Sequence, residues 1–370
     1  MSSLESNIGI QSGRRFLRTL ATTAVVLTAV ALTGCSSGNK QLKDTPRIRP
    51  GCYASATLGT KFANPENLGE YSYHGNRNES GGILYTKRGG HIDKAHLGKA
   101  ADWIAYFAAL TKLNLSKEEK GFSFKCVEPS RYEVKIAYPR NWNLLPASTR
   151  KKVTNDLSVK LGQYLSSTMM TWHEMLTWEG YRSFKLYPEK ASAFSWEDAF
   201  SNNLGVHLAG IAIRDGKPNY DKAMTRAFNM EMEKLELMKG DTAKVASRKV
   251  AGKWYGEGGF LFLVEMKKRN FDIGESGYIT PWLVREIGPA APISYPVPKP
   301  SILRAYGFDI NLTISPRTAA GRKMGRVVGS ETIQPEAHFP IIMQHIRQEA
   351  VAKYGQDVDK PYEETEVAQK

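Results

Sequence analysis

Apolar residues recur along this chain at two different periods, and the change from one to the other marks out its elements. Leu97, Ala100, Ile104, Phe107 and Leu110 return every three or four positions, the stripe of an amphipathic helix. Asp93 stands just before that stripe, and a carboxylate there caps the free N–H groups of a first turn, so the helix is predicted to begin near it. A longer stripe of Val153, Leu157, Leu161, Tyr164, Leu165, Met169, Trp172 and Leu176 follows Pro146-Ala147-Ser148 and predicts a long helix. Ser195-Trp196-Glu197-Asp198 resembles a capping box, so a third helix is expected to open there and to end near Asp215-Gly216. Asp221 to Lys239 is predicted as a fourth helix, and Phe339 to Tyr354 as a final amphipathic one.

Period-two or short apolar runs are fewer. Gly81 to Thr86 reads as a strand entering a Gly89-Gly90 turn, and Arg131 to Tyr138, Phe260 to Val264 and Ala305 to Ile314 read as further strands. Cys52 to Gly90 is rich in Gly, Asn, Tyr and Ser, which predicts short strands and loops. Gly288 to Ser301 carries five prolines and is expected to be an extended surface connection. No internal repeat is visible. The pattern predicts an α+β fold, a mainly helical single domain with a small number of short strands.

The first forty residues follow a different logic. Arg14, Arg15 and Arg18 precede Thr19 to Ala31, thirteen uncharged and mostly apolar residues. That is too short to span a bilayer, which takes about 20, but it suits the apolar region of a secretory signal. Leu32-Thr33-Gly34-Cys35 then resembles the bacterial lipobox, in which the cysteine sulfur is acylated and becomes the new N-terminus. The alternative is a short anchor helix with an incidental cysteine. Arg14-Arg15-Phe16-Leu17 is one residue short of a twin-arginine spacing, so general secretion is expected. Ser36 after the cysteine favours an outer-membrane protein facing the periplasm. The expected organisation is a signal peptide at 1–34, a lipidated tether at 35–50, a globular domain at 51–355 and a flexible polar tail at 356–370.

Composition narrows the partners. Residues 1–34 carry three Arg and one Glu, so their removal lowers the net charge from +14 to +12. Such a surface favours lipid head groups or anionic envelope polymers, and the bland alternative is a solvated basic surface with no specific ligand. Nucleic acid is not expected, since Lys and Arg are scattered and no recognition motif is present. Cys52 and Cys126 remain after lipidation of Cys35. A bridge between them would close a loop of about 74 residues, worth on the order of 4 kcal/mol; two separate buried thiols are the other possibility. Neither lies in a CxxC motif.

Several polar residues sit at helix starts or on apolar helix edges. Asp93 as N-cap places His96 in the first turn, in line with Ala100, Trp103 and Phe107, where an imidazole serves either as a metal ligand or as a core histidine. Trp172-His173-Glu174 lies beside the long stripe and is similar to the start of the zinc-protease pattern HExxH, but Thr177 stands where the second His belongs. Glu197 and Asp198 follow at a spacing comparable with the third ligand of such enzymes, and Ser201 and Asn202 are near them; capping and backbone hydrogen bonds explain these residues equally. His96, His173 and an acid from Glu197 or Asp198 are therefore the expected ligands of a divalent metal such as zinc, with Glu174 as general base. The rival expectation is a non-catalytic binding or structural protein. His207 and His338 are isolated, and no GxSxG, P-loop or dinucleotide fingerprint is present.

Leu84 to His96 with Ala101-Asp102-Trp103, Trp172-His173-Glu174 with Thr177-Trp178, and Ser192 to Asp198 with Ser201-Asn202 and Leu204-Gly205 resemble a family of exported bacterial lipoproteins catalogued only as a domain of unknown function. Lys268 to Gly274, Pro281 to Val284 and the closing helix from Phe339 also fit. The resemblance spans most of residues 80 to 355 and implies an envelope location, with no established activity attached.

If Cys35 is the acylated residue, a Cys35→Ser variant leaves the membrane fraction or accumulates with its signal uncleaved, and metabolic labelling with palmitate is lost. Labelling that survives in the variant overturns the assignment.

Overall fold

The computed structural model describes residues 44–183, 189–256 and 264–362. The signal peptide, Cys35 and the start of the tether lie outside these residues, as does most of the run expected as a strand at 260–264. The described residues fall within one compact unit, Gln41–Lys370. Among them no helix is long and apolar enough to cross a membrane.

A tight hairpin leads into the first helix. Strands β1 (Ile83–Thr86) and β2 (Gly90–Asp93) pair antiparallel, with Thr86 opposite Gly90 and Ile83 opposite Asp93. Both are buried throughout, because the hairpin is covered on both faces. Helix α1 (Lys94–Ser116) starts at the predicted cap, where the Asp93 side chain accepts the Ala95 N–H at 2.8 Å. Two further strands follow, β3 (Gly121–Lys125) and β4 (Arg131–Ala137), and then the long helix α2 (Ala147–Trp178).

Helix α3 (Asp198–Asp215) ends on Gly216 in the left-handed region, as expected. Its start differs from the capping-box reading. Glu197 is the cap position and makes no side-chain capping bond; Ser195 Oγ instead donates to the Glu197 carboxylate. The predicted fourth helix is shorter and has a second helix beyond it: α4 covers Tyr220–Lys234 and α5 covers Gly240–Lys249. Glu236 takes φ +59° between them, and Met238 N donates to Tyr85 O at 2.9 Å. Pairing onto the hairpin edge outweighs the local helix propensity here.

The chain then forms β5 (Tyr278–Ile279), β6 (Tyr295–Pro296), the short α6 (Ser301–Arg304), β7 (Asp309–Ser315), α7 (Ala319–Val327) and α8 (Pro335–Tyr354). Strands β3, β4 and β7 form an antiparallel sheet in that order. Tyr132, Val134 and Ile136 of β4 alternate inward, as do Ile310, Leu312 and Ile314 of β7. That face meets Phe107 of α1, Leu161 and Trp172 of α2, and Phe339 and Ile346 of α8 in the largest core. A second core joins α1, α3 and α4, and a third joins the hairpin to α5 and Trp254. The architecture is α+β and mainly helical.

Helix α1 is clamped between α2 and α3. A Cβ on Gly205 would lie 2.3 Å from Leu97 O, and one on Gly162 would lie 2.9 Å from Ala108 N. Only a hydrogen at these two positions lets the backbones approach so closely.

Both expected ends of the domain move outward. Residues 44–50, expected as tether, are docked: the buried Arg49 guanidinium holds Asp102 of α1 through Nε–Oδ2 at 2.5 Å and Nη2–Oδ1 at 3.0 Å, and also reaches Glu79. At the other end, Arg269 N donates to Val358 O at 2.7 Å and Trp254 Nε1 to Pro361 O at 2.7 Å, so residues 355–362 are not frayed. Cys52 and Cys126 are both free thiols. They flank different cores, Cys52 the hairpin core and Cys126 the sheet core, which keeps the bridge considered above from forming.

Burial pushes the Asp102 carboxyl up, and the Arg49 guanidinium opposes it. Arg49→Ala leaves that carboxylate buried without its partner and is expected to lower stability by about 3–5 kcal/mol. Urea denaturation checks this, with the double variant Arg49→Ala/Asp102→Ala costing less than the two singles added together.

Candidate functional site

The end of β2 and the first turn of α1 bring Asp93 and His96 together, one helical turn apart on the same face. His96 Nδ1 lies 2.6 Å from Asp93 Oδ2. It also lies 3.2 Å from Asp198 Oδ1, at the start of α3. Asp93 is fully buried and is held by three segments: it accepts the Ala95 N–H, it accepts the Cys52 N–H at 3.0 Å, and its own N–H donates to Ser201 Oγ at 2.9 Å. Gly51 passes so near the imidazole that a Cβ there would lie 2.8 Å from His96 Cε1.

Glu174 approaches from α2. Its Oε2 accepts the Phe194 N–H at 2.8 Å. Phe194 holds φ at +57°, a costly conformation for a bulky residue, and thereby turns its N–H toward the carboxylate. One ligand atom each from His96, Glu174 and Asp198 lie within 4.8 Å of one another. All three line a cavity of about 180 Å³, whose walls include Lys99, Trp103, Glu128 and His173. Ile48 to Gly51 close it from the N-terminal side.

The expected ligand set is thus rearranged. His96 and Asp198 come together as anticipated. His173 lines the cavity but is outside the group that converges, and Glu174, expected as the base, stands in its place. Glu197 is turned away: Oε1 accepts the Ala54 N–H at 2.7 Å and Oε2 accepts the Ser195 hydroxyl, so it fastens the N-terminal segment. Ser201 braces Asp93. Asn202 lies on the far side of Glu174 and Asp198, lining a smaller cavity. Lys99, Trp103 and Glu128 were not anticipated. The first two carry a signal, since they fall three and seven positions after His96 on one helical face; Glu128 lies in a loop with no periodicity to reveal it.

Electrostatics divide the site into charged and neutral parts. Burial works against charge on His96, yet Asp198 and Asp93 outweigh it and raise the ring to about 9. Burial pushes the Asp198 carboxyl up, and His96 opposes it. The ring nitrogen Nδ1 thus stands between two carboxylates, Asp93 at 2.6 Å and Asp198 at 3.2 Å. His173 goes the other way: burial, with Lys99 and His96 nearby, lowers it well below the ordinary histidine range and keeps the ring neutral. Burial also pushes Glu128, which accepts the Tyr132 hydroxyl, up to about 7.

Other histidines and acids are accounted for. His338 Nδ1 accepts the Gln334 N–H at 3.2 Å, and His207 lies against Tyr295. Glu179, His345 and Glu349 also converge, but Lys323 Nζ already lies 2.6 Å from Glu179 and 3.2 Å from Glu349, doing a cation's work there.

A family model described as "Protein of unknown function (DUF4056)" matches residues 54–279, more than half of the chain. Pro281 to Val284 and the closing helix lie beyond that match. No curated protein and no solved structure matches the chain.

The raised Glu128 carboxyl has a consequence for stability. Between its ordinary pKa of 4.5 and about 7 the folded protein keeps a proton that the unfolded chain releases. Stability is therefore full below the lower value and falls as pH rises through the upper one. Glu197, pushed up to about 7 by burial, acts in the same window. Measured by urea denaturation from pH 4.5 to 7.5, the wild type is expected to lose on the order of 1–3 kcal/mol relative to Glu128→Gln.

Proposed function

The chain belongs to the family described as a protein of unknown function (DUF4056), and from that premise we propose that it is a divalent-metal-dependent hydrolase held in the cell envelope by a lipid anchor. The observation that carries this reading is the convergence of His96, Glu174 and Asp198 within 4.8 Å beside a cavity. One imidazole and two carboxylates suit zinc or another first-row divalent ion, and the two negative charges balance its charge. Asp93, accepting from His96 Nδ1, stands as the outer carboxylate that orients a ligating histidine in such centres. The Phe194 N–H does the same for Glu174.

The ion would supply Lewis acidity and an acidified water. The chain supplies the rest. His173, neutral and lining the same cavity, would accept a hydrogen bond from the attacking water and orient it. The N-terminal segment and the α1 face limit access of bulk water. Support for the envelope anchor is the ordered sequence of basic, apolar and lipobox residues ending at Cys35, and the +12 charge left after cleavage suits anionic head groups or polymers.

A non-catalytic reading has one observation in its favour: His96 is already satisfied by two carboxylates without any ion. Elemental analysis of the full-length chain, purified without chelator, separates the two. The expected result is near-stoichiometric zinc or another divalent metal, lost in Glu174→Gln and Asp198→Asn, and bound roughly 10–100-fold more weakly in Asp93→Asn. His173→Gln is expected to keep the metal and lose turnover. A metal-free wild type whose variants are merely less stable would establish the non-catalytic reading.

A further inference from the structure

Helix α1 presents His96, Lys99 and Trp103 along one face, and all three line the same cavity. His96 is engaged by Asp93 and Asp198. The Trp103 ring packs on Tyr106 and Phe107, but the polar ends of the other two are unpartnered. Among the described residues Lys99 makes no ion pair or hydrogen bond, although its charge is near enough to act on His96, His173 and Glu128. Trp103 is 1% exposed, and its indole Nε1 has no hydrogen-bond partner. A wholly buried N–H without an acceptor is uncommon in folded proteins. Here it coincides with an unpaired ammonium about one turn away, and both residues line the cavity.

We propose that this cavity binds a carboxylate-bearing ligand, the C-terminal residue of a peptide or an N-acyl amino acid, with its carboxylate held by Lys99 Nζ and Trp103 Nε1. That this ligand is the substrate rests on the hydrolytic reading above; that it binds does not.

The choice of a carboxylate follows from what surrounds the two donors. Arg47 and Arg49, the other cations of the wall, are committed to Glu79 and Asp102. One ammonium and one neutral N–H match the two oxygens of a monoanion. A phosphate dianion would bring a second negative charge beside Glu174 and Asp198, where the His96 ring is already taken up by Asp93 and Asp198 and Lys99 alone is left to offset it. Val127, Met169 and Met170 supply an apolar wall for one side chain, the methionines adapting to its shape. At about 180 Å³ the cavity is smaller than the roughly 300–1,000 Å³ of sites that enclose a drug-sized ligand. One residue therefore enters and the remainder of the ligand stays outside.

His96 precedes Lys99 by three positions on the same face, so a ligand held at Lys99 has the His96–Glu174–Asp198 group beside it in the cavity, next to its acyl bond on the hydrolytic reading. Its hydrolysis is a simple addition of water: the hydroxyl joins the acyl carbon, the C–N bond breaks, and the hydrogen leaves on the amine.

The test is binding to the full-length chain in detergent after chelator treatment, followed by ligand-observed NMR. The probes are N-acetyl-leucine, its neutral amide and phenyl phosphate. The acid is expected to bind at least tenfold more tightly than the amide. Lys99→Gln is expected to remove that preference, Lys99→Arg to restore part of it, and Trp103→Phe to weaken the acid severalfold while keeping the ring. Absence of acid binding, equal binding of acid and amide, or no effect of Lys99→Gln in a variant that melts like the wild type would overturn the proposal. Tighter binding of phenyl phosphate than of the acid would overturn the assignment to a carboxylate. Because metal is removed beforehand, this outcome is independent of the elemental analysis, and either reading can fail alone.

Discussion

Asp93 is fully buried, and a buried carboxylate is tolerated only when donors surround it. The donors that surround this one come from the first turn of α1, from the chain at Cys52 and from the His96 ring, while its own N–H is fixed on Ser201 of α3. Satisfying this one residue therefore ties together the start of α1, the chain at Cys52 and α3. The helix starts where the cap requires, the N-terminal segment crosses where Gly51 alone can pass, and the imidazole is turned toward Asp198. The geometry of the candidate site is a by-product of that single satisfied carboxylate.

A second set of constraints arrives from the opposite side. The loop before α3 carries Phe194 in a left-handed conformation, and the bond from its N–H to Glu174 is part of what offsets that cost. The same loop is gripped by Arg269, fully buried, whose guanidinium donates to Ala193 O and lies over the rings of Trp178 and Tyr354. The cavity thus lies where cores meet: α1 contributes to the sheet core through Trp103 and Phe107 and to the α3–α4 core through Leu97 and Ile104. Polar groups at such a junction are held from several directions, which suits a site that must present fixed ligand atoms.

What was legible in the sequence was what depends on neighbours in the chain. The Asp93 cap, the stripe of α2 and the alternation of β4 are local chemistry, and the structure follows them. The last turn of the expected fourth helix failed because Met238 finds a partner in Tyr85, far away in sequence. Arg49 read as a charged residue of a tether because nothing near it reveals Asp102. In the site, His96 and Asp198 were reachable as residues at helix starts, whereas the exchange of roles between His173 and Glu174 was not. They are adjacent on α2 and point in different directions, and the rotation of that helix against α1 and α3, which the local sequence does not reveal, brings Glu174 to the cluster where the Phe194 N–H holds it.

The bonds that frame the cavity span long stretches of chain. Ala54 pairs with Glu197, Arg49 with Asp102, and Arg269 with Tyr354 near the end of the last helix. In a protein made from its N-terminus, local helices form early, but contacts across such separations wait for the later residue to exist. Helix α1, with His96, Lys99 and Trp103 already aligned, is complete long before Tyr354 is joined to the chain. The loop that seats Glu174 gains its grip from Arg269 only afterwards. Maturation of the site thereby waits for residues 269 to 354, and a chain lacking them carries the ligand residues without the frame that brings them together.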